Sequence, residues 1–340
     1  MEKKSKVNMV MFDFIKGLAM IAVVLIHSGT MASLDTYPVV LIRSAVGAVF
    51  FMASGFWLRK RKFATGLRQS AKQLLIPYAV TLLIILVIGF LHRLLTNNLN
   101  NFLDLFLLPV LKRGAGPRTG ALWFFLATFW TWCMYYLLMR LKDERIRIGL
   151  VVLGGILGMG LLPLHDYTYI LPQSLLMLPY IYGGFYIREK GLFDKKVPVW
   201  LLIALSIPAV VLAFFGKIDV IMDTADFGII NIAAQLLFGY TLIYVTLLIN
   251  QKQWKWAEGI MYIGRHSLWV LCIHSIEMSV FPWDILWRFV DQSSAIGILT
   301  HFLLRLAGIL MCCFVLRKSQ SMIHKWKKER KNKQKVSKIL

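Results

Sequence analysis

The chain has 340 residues, of which 58% are hydrophobic and only 16% charged. Soluble domains carry about 45–50% apolar and about 25% charged residues, so a soluble enzyme is excluded, and so are a disordered chain and a disulfide-stapled secreted one. The formal net charge of +22 would suggest nucleic acid in a soluble protein, but membrane proteins gather Lys and Arg in their cytoplasmic loops. The expected class is therefore an all-α polytopic membrane protein with no nucleic-acid partner.

A helix crossing roughly 30 Å of hydrocarbon needs about 20 mostly apolar residues. Ten segments meet that need: 10–30, 38–58, 72–92, 121–140, 146–163, 170–188, 197–215, 228–249, 259–280 and 296–317. The stretch 102–111 is apolar but only half a span long, and reads as a re-entrant or interfacial piece of the 93–120 connection. Ten spans put both termini on one side. That side collects 29 basic residues, among them Lys3, Lys4, Lys6, Lys252 and ten between 317 and 338. The other side has six, Arg93, Lys112, Arg113, Arg118, Lys217 and Arg288. The basic side is thus predicted to be cytoplasmic. Residues 1–318 read as one membrane domain and 319–340 as a basic cytoplasmic tail drawn to anionic membrane lipid.

Asp13 and Lys16 interrupt the first apolar segment, which argues against a cleaved signal peptide. Cys133, Cys272, Cys312 and Cys313 all lie in apolar segments without ligand spacing and read as small hydrophobes. The run Lys112–Arg118 is rich in glycine but lacks the spacing of a phosphate loop.

Ionisable residues within spans are costly and are functional candidates by default. Lys16 and His27 are eleven positions apart, within 20° of three full turns, so they share a helix face about 16 Å apart along the axis. Asp13 meets Lys16 from one turn earlier. His27 lies towards the outer half of the span and is the residue type that titrates near neutral pH. His274 and Glu277 in the ninth span, and His301 and Arg305 in the tenth, are paired at helical spacing. Glu277 with Arg305 also reads as a neutralising structural pair. Arg43 and Ser44 enter the second span.

These residues fall into a recognisable order. The stretch Phe12-Asp13-Phe14-Ile15-Lys16-Gly17 followed by His27 resembles the opening of the membrane acyltransferase-3 family, an aromatic–Asp–x–x–(Arg/Lys)–Gly stretch and then a His. Phe50-Phe51-Met52-Ala53-Ser54-Gly55-Phe56, Lys72-Gln73-Leu74-Leu75-Ile76-Pro77-Tyr78 and Leu122-Trp123-Phe124 resemble its second, third and fourth segments. Pro179-Tyr180-Ile181-Tyr182-Gly183-Gly184 and Gly264-Arg265-His266-Ser267-Leu268, with His274 beyond, resemble later ones. The resemblance covers residues 11 to about 280. It departs at Lys16, often Arg in the family, where an ammonium keeps the charge but loses the bidentate fork. It departs again at Arg265-His266, usually Lys-Asn.

The resemblance implies transfer of an acyl group, most often acetyl from acetyl-CoA, to a hydroxyl of an envelope glycan or a small exported molecule at the bacterial cytoplasmic membrane. His27, Lys16 and Asp13 would be catalytic, His27 as general base or as acyl carrier. Lys16, Arg59, Arg61, Arg68 and Lys72 would hold the CoA phosphates, although the same basic cluster also satisfies the positive-inside rule. Trp123, Tyr180, Tyr182, Ser54, His274 and Glu277 would line the acceptor path. No metal is expected. Some relatives carry an appended extracytoplasmic hydrolase-like domain; here a separate extracytoplasmic transferase would take that part if one is needed. Buried ionisable residues also mark transporters, so a transporter or flippase of a polar molecule, without acyl transfer, is the alternative.

Overall fold

The computed structural model describes residues 9–34, 36–96, 102–116, 119–167, 170–216, 218–219, 224–250 and 254–336. Lys3, Lys4, Lys6, Arg118, Lys217, Lys252 and Lys338 lie outside them. Among the described residues the β structure is one antiparallel pair, β1 (Ile218–Asp219) with β2 (Thr224–Ala225). The rest of the regular structure is helical, as the need to satisfy every backbone group inside a bilayer demands.

The first half of the bundle comprises α1 (Met9–Ile26), α2 (Tyr37–Trp57), α3 (Phe63–Leu95), the short α4 (Leu108–Arg113), α5 (Trp123–Leu138) and α6 (Glu144–Leu161). The second comprises α7 (Leu171–Glu189), α8 (Val199–Phe215), α9 (Ile229–Asn250), α10 (Glu258–Arg265), α11 (Ser267–Val280) and α12 (Ala295–Val336). Local sequence sets several boundaries. Prolines at the first turns of α2 and α7 start those helices, where the missing N–H costs nothing, whereas Pro77 lies inside α3, just after a π-helical turn at Ala71–Leu75. Asp143 caps α6 by accepting the Arg145 N–H at 2.7 Å. The first helix stops at Ile26 because Gly29 takes a left-handed conformation, φ +56°, and its N–H is drawn off to His301 Nδ1 at 2.8 Å.

The predicted spans fall on helix, and they differ in length and apolarity. Among the described residues six helices are long and apolar enough to cross a membrane: Tyr37–Trp57, Phe63–Leu95, Gly120–Leu138, Glu144–Leu164, Ile229–Asn250 and Ala295–Leu316. The first predicted span is an 18-residue helix broken in polarity by Asp13 and Lys16. The sixth contains polar Gln173, Ser174 and Arg188. The seventh has 17 residues. The ninth is not one helix: His266 leaves helical geometry at φ −106°, ψ 16° and divides α10 from α11. Stretch 102–111 is a π-helical turn, Leu103–Leu107, leading into α4; it packs on α3, with the Phe106 ring over Gly89. The last helix runs unbroken through the predicted 318/319 boundary to Val336.

Two apolar clusters hold the bundle together. One joins α1, α2, α5, α7 and α9 around Phe12, Phe51, Met52, Tyr135, Tyr180 and Ile181. The other joins α1, α3, α5, α11 and α12 around Met20, Val24, Ile85, Phe125, Val270 and Ile309. Phe50, Phe124 and Trp132 pack against both. Outward faces of α3, α6, α8 and α12 expose Leu83, Val87, Leu153, Ile203, Leu303 and Phe314. An apolar surface of that extent suits lipid rather than water.

Glycines allow two close helix crossings. A Cβ on Gly264 would overlap the Asp13 carbonyl, and one on Gly17 would overlap that of Ile260, so α1 and α10 meet backbone to backbone. Gly55 and Gly184 do the same for α2 and α7, against Ile181 and Met52. Small residues permit such approach between membrane helices, where packing drives association. We expect Gly264→Ala to destabilise the folded protein by about 1–3 kcal/mol or more, the cost of overpacking. Gly308→Ala, where an added Cβ meets nothing within 4 Å, is expected to leave stability level or higher. Thermal unfolding of the two variants in detergent checks this.

Candidate active site

A cavity of about 540 Å³ lies between the two apolar clusters, and Phe50, Phe124 and Trp132 form part of its wall. Its size falls within the roughly 300–1,000 Å³ of small-molecule sites. At one end it is bounded by Lys16, Arg59 and Arg61, at the other by His27 and Arg43. Lys16 and His27 therefore do share a face, and that face looks into one space. Helix α2 lines its length with Arg43, Ser44, Gly47, Phe50, Ser54 and Trp57. Helix α5 presents Phe124, Thr128, Trp132 and Tyr136 from successive turns of one side, with Trp123 beside them.

At the basic end, Asp13 is buried and pairs with Lys16 Nζ at 2.7 Å and Arg265 Nε at 3.4 Å. The glycine crossing of α1 and α10 brings Arg265 there. Asp13 itself does not line the cavity; it holds Lys16, which does. Two cations against one carboxylate, with Arg59 and Arg61 close by, leave this mouth strongly positive.

At the far end, His27 Nδ1 donates to the Val23 carbonyl at 2.8 Å. A carbonyl can only accept, so in the neutral ring Nε2 carries the free lone pair. Behind it stands His274, fully buried, its ring 5.4 Å from that of His27 and inclined to it by 67°. His274 Nδ1 donates to Glu277 Oε2 at 3.2 Å. Glu277 also accepts from Trp283 Nε1 at 2.5 Å and, bidentately, from Arg305 Nε at 2.7 Å and Nη2 at 3.0 Å. Arg305 Nη1 donates to the His27 carbonyl. One buried ion pair thus fixes the end of α1 on which His27 stands.

The other predicted residues divide. Ser54, Trp123 and Tyr180 line the cavity. Ser54 Oγ accepts from Trp132 Nε1 at 3.1 Å, and the Tyr180 hydroxyl donates to Gln235 Oε1 at 2.5 Å. Tyr182 is buried outside the lining, among Phe185 and Tyr186. His274 and Glu277 stand behind His27 rather than in the wall. Arg68 and Lys72 are exposed and outside the lining; Gln69 and Gln73, one residue further round the same helix, occupy it.

The family model for an acyltransferase domain matches residues 10–318. The chain belongs to the acyltransferase-3 family. No curated protein and no solved structure matches it. With six helices of spanning length and apolarity among the described residues, it is a membrane acyltransferase.

In this acyltransferase the family-like segments meet in space. The opening stretch supplies Asp13, Lys16 and His27, Ser54 and Trp123 supply wall, and Gly264-Arg265 closes on Asp13. Motif reading overlooked Gln235, Thr128 and Trp132. An amide within an apolar helix was a usable signal for Gln235, by the cost of burying polar groups. Thr128 and Trp132 carry no such mark, since only packing shows which side of α5 faces the cavity.

Proposed function

We propose that the acyltransferase takes an acyl group, acetyl foremost, from cytosolic acyl-CoA and delivers it to a hydroxyl of an envelope glycan or a small exported molecule. The observation that carries this reading is the single cavity joining the cationic mouth at Lys16, Arg59 and Arg61 to the His27 ring. In this reading all ten helical segments cross a bacterial cytoplasmic membrane, and the basic end and both termini face the cytosol.

Arg59 and Arg61 would take the CoA phosphates in charge-assisted hydrogen bonds. Lys16, oriented by Asp13, would meet the phosphate or the arm that follows. The arm then extends along the cavity, and the thioester reaches His27 some 16 Å further, by the rise per residue. The acceptor hydroxyl gives its proton to His27 Nε2 as its oxygen bonds to the acyl carbon. The carbon–sulfur bond breaks, and the departing thiolate recovers that proton from the imidazolium. Serine, threonine and aromatic groups near Ser54, Trp123 and Tyr180 are suited to a polar acceptor with sugar-like faces.

The cation assignment has its own test. In lipid nanodiscs with acetyl-CoA and an envelope extract, the wild-type protein is expected to release free CoA. The Arg59→Ala, Arg61→Ala double variant should need about tenfold more acetyl-CoA for half-maximal rate, the loss expected from hydrogen bonds to charge, with kcat little changed. An unchanged KM would remove both residues from the donor site. Absence of CoA release from the wild-type protein would favour transport without acylation.

A further inference from the structure

Most glycines in this bundle have a neighbour that explains them: Gly17, Gly55, Gly184 and Gly264 each meet the backbone of a facing helix. Gly47 does not. A Cβ built on it meets nothing within 4 Å, and it lies inside α2, where glycine is unfavourable relative to alanine. Other glycines with open space around them, Gly149, Gly160, Gly259 and Gly308, do not line the cavity; Gly47 does. It sits one turn from Phe50 and one turn from Ser44 and Arg43 on the lining face of α2. The space that a side chain would fill at residue 47 is therefore cavity, between the cationic mouth and His27.

We propose that Gly47 keeps open the passage by which the acyl thioester reaches His27, and that the space left there by the missing side chain sets how long an acyl chain the enzyme accepts. This rests on the acyl-CoA reading above and adds to it a residue that selects among acyl-CoAs. An acetyl group adds little girth to the thin pantetheine arm, whereas a longer acyl chain needs apolar room beside Met20, Val23 and Leu271. Each carbon added to the donor, and each carbon added at residue 47, draws on the same volume. The two series are therefore coupled.

The test compares wild-type protein with Gly47→Ala, Gly47→Leu and Gly308→Leu in nanodiscs, using acetyl-CoA and butyryl-CoA and reading free CoA. The ratio of the two rates is taken within each preparation, so it does not depend on how much protein has folded. Gly47→Ala, whose added carbon meets nothing within 4 Å, is expected to keep most acetyl transfer and to slow butyryl transfer, raising the acetyl-to-butyryl ratio by less than the roughly tenfold that a methylene is worth in a tight apolar pocket. Gly47→Leu should lose acetyl transfer as well, while Gly308→Leu should keep the wild-type ratio. A ratio that stays at the wild-type value in both Gly47 variants, with acetyl transfer intact, would overturn the proposal and leave the acyl-CoA reading standing. A wild-type protein that releases no CoA from either donor would overturn both, before any variant is compared.

Discussion

Replacing His27 with alanine is expected to lower acyl transfer about 10²–10⁴-fold, the usual worth of a positioned general base, while leaving acetyl-CoA binding unchanged. The fold gives this variant a clean reading. The His27 side chain makes its hydrogen bond within its own helix, to Val23, and Arg305 holds the residue by its backbone carbonyl, which alanine retains. His27→Gln should be as inactive as His27→Ala, because an amide fills the site but takes up no proton near neutral pH. Rates of CoA release, with binding followed separately by protection against thermal unfolding, check both variants. A His27→Gln protein with near-normal rates would assign the ring a packing role against His274.

Replacing Glu277 with alanine is expected to cost about 3–5 kcal/mol of stability, because it leaves the Arg305 charge buried and unpaired. Arg305 has only 2% of its side chain exposed, and Glu277 is the carboxylate that pairs with it, at 2.7 Å. Trp283 and His274 lose an acceptor in the same step. A Glu277→Leu, Arg305→Met double variant should recover much of that stability, since apolar pairs of similar volume often replace buried ion pairs without loss. It should not recover activity, because the anchor from Arg305 to the His27 carbonyl goes with it. Thermal unfolding and CoA release together separate these effects. Stability that survives Glu277→Ala while activity vanishes would instead place Glu277 in contact with the acceptor.

Composition alone makes the membrane class legible, since 58% hydrophobic residues cannot be covered by water-facing side chains. The Lys16–His27 face was also legible, because both residues stand on one uninterrupted helix and 100° per residue suffices. Reasoning of that kind fails where the phase of a helix is lost. Arg68 and Lys72 precede or enter a π-helical turn at Ala71–Leu75, and the face chosen by the bundle is that of Gln69 and Gln73. The break at His266 has no proline to announce it, and both flanks are apolar. The pairing of Glu277 with Arg305 spans two helices, so spacing within either one suggests the pair but not that it holds the end of a third. Glycines were readable as motif letters, but their reasons differ: crossings for Gly17 and Gly264, open space for Gly47.

Sidedness tests the account most directly. Inside-out and right-side-out membrane vesicles containing the protein would each receive acetyl-CoA labelled in the acetyl group, with His27→Ala vesicles alongside. The account predicts free CoA from inside-out vesicles alone, label retained in the membrane or lumen, and loss of both with His27→Ala. Release by right-side-out vesicles, or label retained equally without His27, would contradict it.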